Sequence, residues 1–209
     1  MKSAVVLILT ALLVMGAWAD VQSSSPLTSV GVQTQETSLG DLIADAVRAA
    51  AGTPIAIIPA GGLREITIPA GAIPTSEIVK CLQYPNDEVA VITLTGGQLL
   101  KALERSVSIY PQKNMGFLQV SGLTFSFDPS AQKESRVKSA SIGAEGVAPN
   151  RSYRVATTKP LADGAYGYFT IWKDATLEMK AKTISQAATD FLAQRTSVDY
   201  RVLNRIASH

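Results

Sequence analysis

The chain has 209 residues, 46% of them hydrophobic, with 19 Lys and Arg against 17 Asp and Glu and a formal charge of +2. That balance, with no basic runs and no basic aromatic-lined motif, excludes a footprint for nucleic-acid backbones. The single cysteine, Cys81, excludes an intrachain disulfide, and the single histidine is the terminal His209, so neither a histidine-activated thiol nor a histidine-rich metal centre can be assembled.

In chain order, residues 1–19 read as a secretory signal: Lys2 supplies the positive start, 4–15 an apolar run, and Ala17-Trp18-Ala19 a small-x-small cleavage site. The run falls short of the about 20 residues that a membrane span needs, although an uncleaved anchor is the other reading of it. Cleavage after Ala19 predicts an exported chain, periplasmic or extracellular and free of the membrane. Residues 20–35 are rich in Ser, Thr and Gln without a sustained period and are expected as a flexible, solvated lead-in. Residues 36–209 have the size of one domain.

The first helix is marked by Ser38 with Asp41, which resembles a capping box, and by Leu39, Leu42, Ile43, Ala46, Val47 and Ala50 at helical spacing. Gly52 and Pro54 stop it. Asp41 and Asp45, one turn apart, read as a capping and a solvent-facing carboxylate. A short apolar strand covered on both faces follows at 55–58. A helix at 76–82 would bury Cys81 as a small hydrophobe. A strand is expected at 89–94, then a helix opened by a Thr95/Gln98 capping box with Leu99, Leu100, Leu103 and Val107 on one face. Leu123, Phe125 and Phe127 alternate with Thr124 and Ser126 as in a half-buried strand. Further strands are expected at 136–142 and 153–157, and a late helix at 183–193 burying Ile184, Ala187, Ala188, Phe191 and Leu192. Helices interspersed with strands predict an α/β domain with a mixed β-sheet and flanking helices.

Four blocks stand in a fixed order: ETSLGDLIADA from Glu36, PAGGLREITIPAG from Pro59, GFLQVSGLTFSFDP from Gly116 and YRVATTKPLADGAYGY from Tyr153. Together, over roughly 36–172, they resemble the C-terminal, substrate-recognition domain of the 5'-nucleotidase family. The resemblance implies that fold, a nucleotide or nucleoside-type ligand, and residues that grip it. Gly61 and Gly62 of the GGLR loop let backbone approach a ligand, and Arg64 offers a planar fork to phosphate or ribose oxygens. The competing reading is a tight turn with a surface arginine. Tyr84 occupies the place of a base-stacking Phe, with Asn86 two residues on. Alternatively, Tyr84 packs at a loop edge and Asn86 starts the next strand.

The sequence departs from the family pattern at the pocket. Pro59 stands where a substrate-binding Asn is usual, Pro160 replaces a second stacking Phe, and Tyr166 replaces an Asp suited to ribose hydroxyls. Gln33-Thr34-Gln35 lacks the arginine that many relatives carry before Glu-Thr. Tyr166 either faces Tyr84 as a second ring or fills the vacated space.

Family members hydrolyse nucleotide phosphomonoesters with two bridged metal ions on His, Asp and Asn ligands of another domain, which is not within these residues. No metal or other cofactor is therefore expected in this chain, and no catalytic residue is assigned. The resemblance implies an exported nucleotide-recognition domain that acts in nucleotide catabolism with a separately encoded metallophosphoesterase, which would hold the divalent metals. The alternative is a non-catalytic binding or protein-interaction module with a degenerate nucleotide pocket.

Overall fold

The computed structural model describes residues 20–201 and 204–209, so the expected signal at 1–19 lies outside the described residues. The elements in order are β1 (Val21–Ser23), β2 (Leu27–Thr28), α1 (Ser38–Ala51), β3 (Ile55–Pro59), β4 (Thr67–Ile68), β5 (Gly71–Ile73), α2 (Thr75–Val79), β6 (Glu88–Thr95) and α3 (Gly96–Val107). They continue with β7 (Leu118–Ser121), β8 (Thr124–Phe127), β9 (Val137–Ile142), β10 (Glu145–Gly146), β11 (Ser152–Thr158), α4 (Lys159–Ala162), β12 (Thr176–Thr183), α5 (Ile184–Ala193), β13 (Ser197–Val198) and β14 (Ile206–Ser208).

The central sheet has five strands in the order β12-β6-β11-β3-β7. Only β11 and β3 run parallel; the other pairs are antiparallel, which makes the sheet mixed, as expected. β3 is buried at every position, which explains why IAIIP is an unbroken apolar run rather than an alternating one. Helix α1 packs against β3, β7 and α5, and α3 against β6 and β9. A second sheet, β10-β9-β8-β14, turns Phe125 and Phe127 inward. Both capping boxes, Thr95 with Gln98 and Thr183 with Gln186, are formed, the first of them as expected. Cys81 is fully buried, and desolvation pushes its thiol up to about 12, so it is an inert core side chain.

Residues 20–35 are not a flexible lead-in. β1 lies between β13 and β5, β2 pairs with β4, and Val21, Leu27 and Val32 are buried. Gln119, itself fully buried on β7, holds the segment: its amide donates to Val32 O at 3.3 Å and Gln35 O at 2.9 Å, and its carbonyl accepts from Thr37 N at 2.9 Å. Gly40 makes room, because a β-carbon there would lie 2.2 Å from the Gln119 amide oxygen. The apolar residues are too widely spaced to show a period, and their partners are remote in sequence: Gln22 pairs with Ser197 and Leu27 with Ile68.

The start of α1 also differs from expectation. Thr37 is the N-cap, accepting from Gly40 N at 3.2 Å, while Ser38 is spent on Thr28, whose N–H donates to its hydroxyl at 2.7 Å. Asp41 is fully buried, and Asp45 is largely so. Arg205 donates to Asp45 from Nη1 at 2.8 Å and from Nη2 at 3.0 Å, and Tyr200 and Ser121 donate to the same carboxylate. Next door, Ile206 N donates to Glu36 Oε2 at 3.0 Å, and β14 pairs with β8 in parallel. The acidic face of α1 thus anchors the C-terminal strand.

Candidate functional site

Because β3 and β11 run parallel, their carboxyl ends share one edge of the central sheet, and the antiparallel β6 and β7 begin there. The register makes this explicit: Thr158 lies opposite Val89, and Pro59 opposite Leu118. Four connections therefore meet at this edge: the Gly61–Gly62 loop, the 83–87 turn, the 114–117 turn and the 159–169 segment. Ligands of open α/β sheets bind at such an edge, beyond the carboxyl ends of parallel strands.

Backbone hydrogen bonds weld the connections together. Ala60 N donates to Phe117 O and Gly61 N to Met115 O, both at 2.8 Å, and Gln83 N donates to Gly62 O at 2.9 Å. Arg64 N donates to Cys81 O at 2.7 Å. The Arg64 side chain is exposed, and its Nε donates to Gln83 Oε1 at 3.1 Å, which leaves the Nη edge of the fork for an anion. Tyr84 follows immediately, 53% exposed, with its ring free to take a flat partner. Asn86 is exposed in the turn closed by Asp87 N donating to Tyr84 O at 3.1 Å.

Tyr166 is half-buried, with its ring over Gly61: a β-carbon on Gly61 would lie 2.5 Å from the Tyr166 hydroxyl oxygen. On the other side its Cβ sits against Gly116. Burial raises the phenol pKa, and the neighbouring Tyr84 and Asp87 raise it further. Its backbone is left-handed, φ 58°, an uncommon state for a tyrosine. Arg105 holds it there, donating from Nε at 3.1 Å and Nη2 at 2.7 Å to the Tyr166 carbonyl. Below it, Tyr168 is fully buried, donates to Gly116 O at 2.7 Å and stacks on Trp172 with ring centroids 5.1 Å apart.

The structure thus brings Gly61, Gly62, Arg64, Tyr84 and Tyr166 to one junction, with Asn86 exposed in the turn that follows Tyr84. Pro59 and Pro160 serve the fold. Pro59 ends β3 where no ladder N–H is required of it, and Pro160 lies in the first turn of α4, behind the Thr158 N-cap. Sequence reasoning missed Gln83, Asp87 and Arg105. Gln83 and Asp87 flank two singled-out residues and could have been found by that adjacency. Nothing in the sequence joins Arg105 to Tyr166, 61 positions away. Arg105 and Gly167 also line a cleft of about 1070 Å³ with Lys101, Ile109, Lys133 and Phe169.

A two-metal centre does not fit these residues. Among the described residues no three His, Cys, Asp or Glu side chains are grouped so as to hold a metal ion. Among the described residues, too, no helix is long and apolar enough to cross a membrane.

The family model described as "5'-nucleotidase, C-terminal domain" matches residues 14–174. The trifunctional nucleotide phosphoesterase protein YfkN of Bacillus subtilis is 36% identical over 146 residues, covering 66% of this chain and 10% of that protein. An apyrase of Aedes albopictus is 30% identical over 185 residues, covering 82% of this chain and 32% of the apyrase. The chain therefore spans at most about a third of these relatives. Among solved structures, a 5'-nucleotidase precursor from Thermus thermophilus superposes with a TM-score of 0.82 at 28% identity, over 91% of this chain and 39% of that one.

Proposed function

The chain belongs to the 5'-nucleotidase C-terminal domain family, and we propose that it is an exported nucleotide-recognition unit. In this reading Arg64 meets a phosphate or ribose oxygen, Tyr84 stacks on the base, Tyr166 walls the opposite side over Gly61, Gly62 leaves the loop backbone open to the ligand, and Asn86 reaches the base edge. The observation that carries it is the convergence at one sheet edge of an unspent guanidinium edge, an exposed aromatic face and a second, strained tyrosine. Cleavage of the phosphate ester falls to a separately encoded metallophosphoesterase that holds the divalent metals. The unit contributes by positioning substrate for it. The apolar run and small-x-small site at the N-terminus support export, as does the description of the Thermus relative as a precursor.

Calorimetry with AMP and adenosine tests this. Tyr84→Ala is expected to weaken both about tenfold, the scale of one base–aromatic stack. Arg64→Ala is expected to weaken AMP more than adenosine, because a guanidinium–phosphate pair is charge-assisted. Failure of the wild-type chain to bind either compound overturns the reading. Adding the protein to a metallophosphoesterase of this family that lacks a recognition domain is expected to increase AMP cleavage.

A second reading, a protein-contact module, draws on the exposed apolar side chains near the junction. Met115 is 53% and Phe169 67% exposed. It predicts partner binding that Phe169→Ser abolishes and that AMP leaves unchanged.

A further inference from the structure

We infer that Asp87 reads the sugar of the bound nucleotide, accepting hydrogen bonds from ribose hydroxyls and so setting a preference for ribonucleosides over deoxyribonucleosides. This rests on the nucleotide reading above and names a contact that reading leaves open.

Three observations carry it. First, the backbone of Asp87 is fixed at both ends: its N–H closes the turn on Tyr84 O at 3.1 Å, and its carbonyl accepts from Ile184 N, the start of α5, at 2.8 Å. Second, its carboxylate is unspent. It is half-buried, no side chain among the described residues donates to it, and partial desolvation raises its pKa. A carboxylate in that state favours ligand groups that donate hydrogen bonds. Third, the hydrogen bond from Asp87 N to Tyr84 O puts the residue in the same turn as the exposed ring, so it borders the junction, and its charge reaches the Tyr166 phenol.

The chemistry follows from the order of side chains along one short turn. Gln83 steers the Arg64 guanidinium at one end, Tyr84 presents a ring face in the middle, and Asp87 presents an acceptor at the other end. A cation, a π-face and a lone acceptor match a phosphate, a base and a hydroxyl-bearing sugar. The acceptor cannot serve the phosphate, since two anions repel. Vicinal hydroxyls offer it two donors.

The test uses the full chain with adenosine and 2',3'-dideoxyadenosine, measured by calorimetry. The wild type is expected to bind adenosine about tenfold more tightly, the scale of hydrogen bonds to a charged acceptor. Asp87→Asn and Asp87→Ala should bring the two ligands within about twofold by weakening adenosine alone. Both variants keep the two backbone hydrogen bonds, so their thermal unfolding should match the wild type. Equal wild-type affinities, or a preference that survives in both variants, overturn the assignment of Asp87 and leave the nucleotide reading standing. No binding of either nucleoside or of AMP overturns both.

Discussion

Replacing Arg205 with alanine is expected to lower the unfolding free energy by about 3–5 kcal/mol, with a drop of roughly 10 °C in Tm. The guanidinium makes two hydrogen bonds to Asp45, at 2.8 and 3.0 Å, and a third to Val120 O at 2.9 Å. Removing it strands a largely buried carboxylate, which costs more than the pair contributes. Burial alone would raise the Asp45 pKa, but hydrogen bonds from Arg205, Ser121 and Tyr200 outweigh it and hold the group below the ordinary range. The loss should unzip β14 from β8, so hydrogen exchange at Ile206–Ser208 should accelerate before global unfolding. Asp45→Asn on the Arg205→Ala background should recover part of the loss, because a neutral amide tolerates the missing cation. If Arg205→Ala melts within about 2 °C of the wild type, the anchor contributes little.

The same cluster makes stability fall on the alkaline side. Burial, reinforced by the neighbouring Glu36, pushes Asp41 up to about 9, although Arg205 pulls the other way from 3.7 Å. Asp41 is therefore protonated at neutral pH. A raised acid binds its proton more tightly in the folded state. Its contribution is intact below the ordinary 3.8 and is lost as pH climbs through about 9. Asp45 has the opposite sign: its contribution is present above the ordinary 3.8 and is lost as pH falls through its lowered value. Urea unfolding between about pH 5 and pH 9 should show a decline that Asp41→Asn flattens, since the amide is neutral throughout.

Tyr166→Gly is expected to separate stability from binding. Glycine adopts φ near 58° freely, whereas the tyrosine is held there by Arg105 on its carbonyl, a bond that glycine retains. Relief of that strain offsets the lost ring packing, so the unfolding free energy should stay within about 1 kcal/mol of the wild type. Binding of AMP should weaken about tenfold, because one wall of the junction is gone. Tyr166→Phe, which keeps the ring and loses the hydroxyl, should bind nearly as well. A large loss of stability with unchanged affinity would instead make Tyr166 a packing residue that fills vacated space.

Much of the candidate site was legible one loop at a time. GGLR, Tyr84 with Asn86, and Tyr166 were each singled out by the family resemblance of the block around them, and the structure gathers them because parallel β3 and β11 end at one edge. Asp87 and Gln83 were one or two positions from residues already noticed, but adjacency does not say which way a side chain faces. Arg105 lay on the polar side of an amphipathic helix, where an arginine has no distinguishing mark. Its role exists only because Gly167 leaves room for the guanidinium against the 166–167 backbone.

What the sequence determined alone was periodic or locally capped: the helices that form at 38–51 and 96–107, the late helix read at 183–193, the fully apolar strand read at 55–58 and the alternation of Phe125 and Phe127. These features come from contacts among residues a few positions apart, so they are written in the order of the residues. The tertiary structure decided whatever rests on partners far away in the chain. Residues 20–35 became part of the domain through Gln119, Ser197 and Ile68, and Asp41 went from a cap to a buried, protonated acid beside Arg205. A charged or polar residue carries no local sign of whether water or a distant partner will satisfy it. That is settled only when the chain closes on itself.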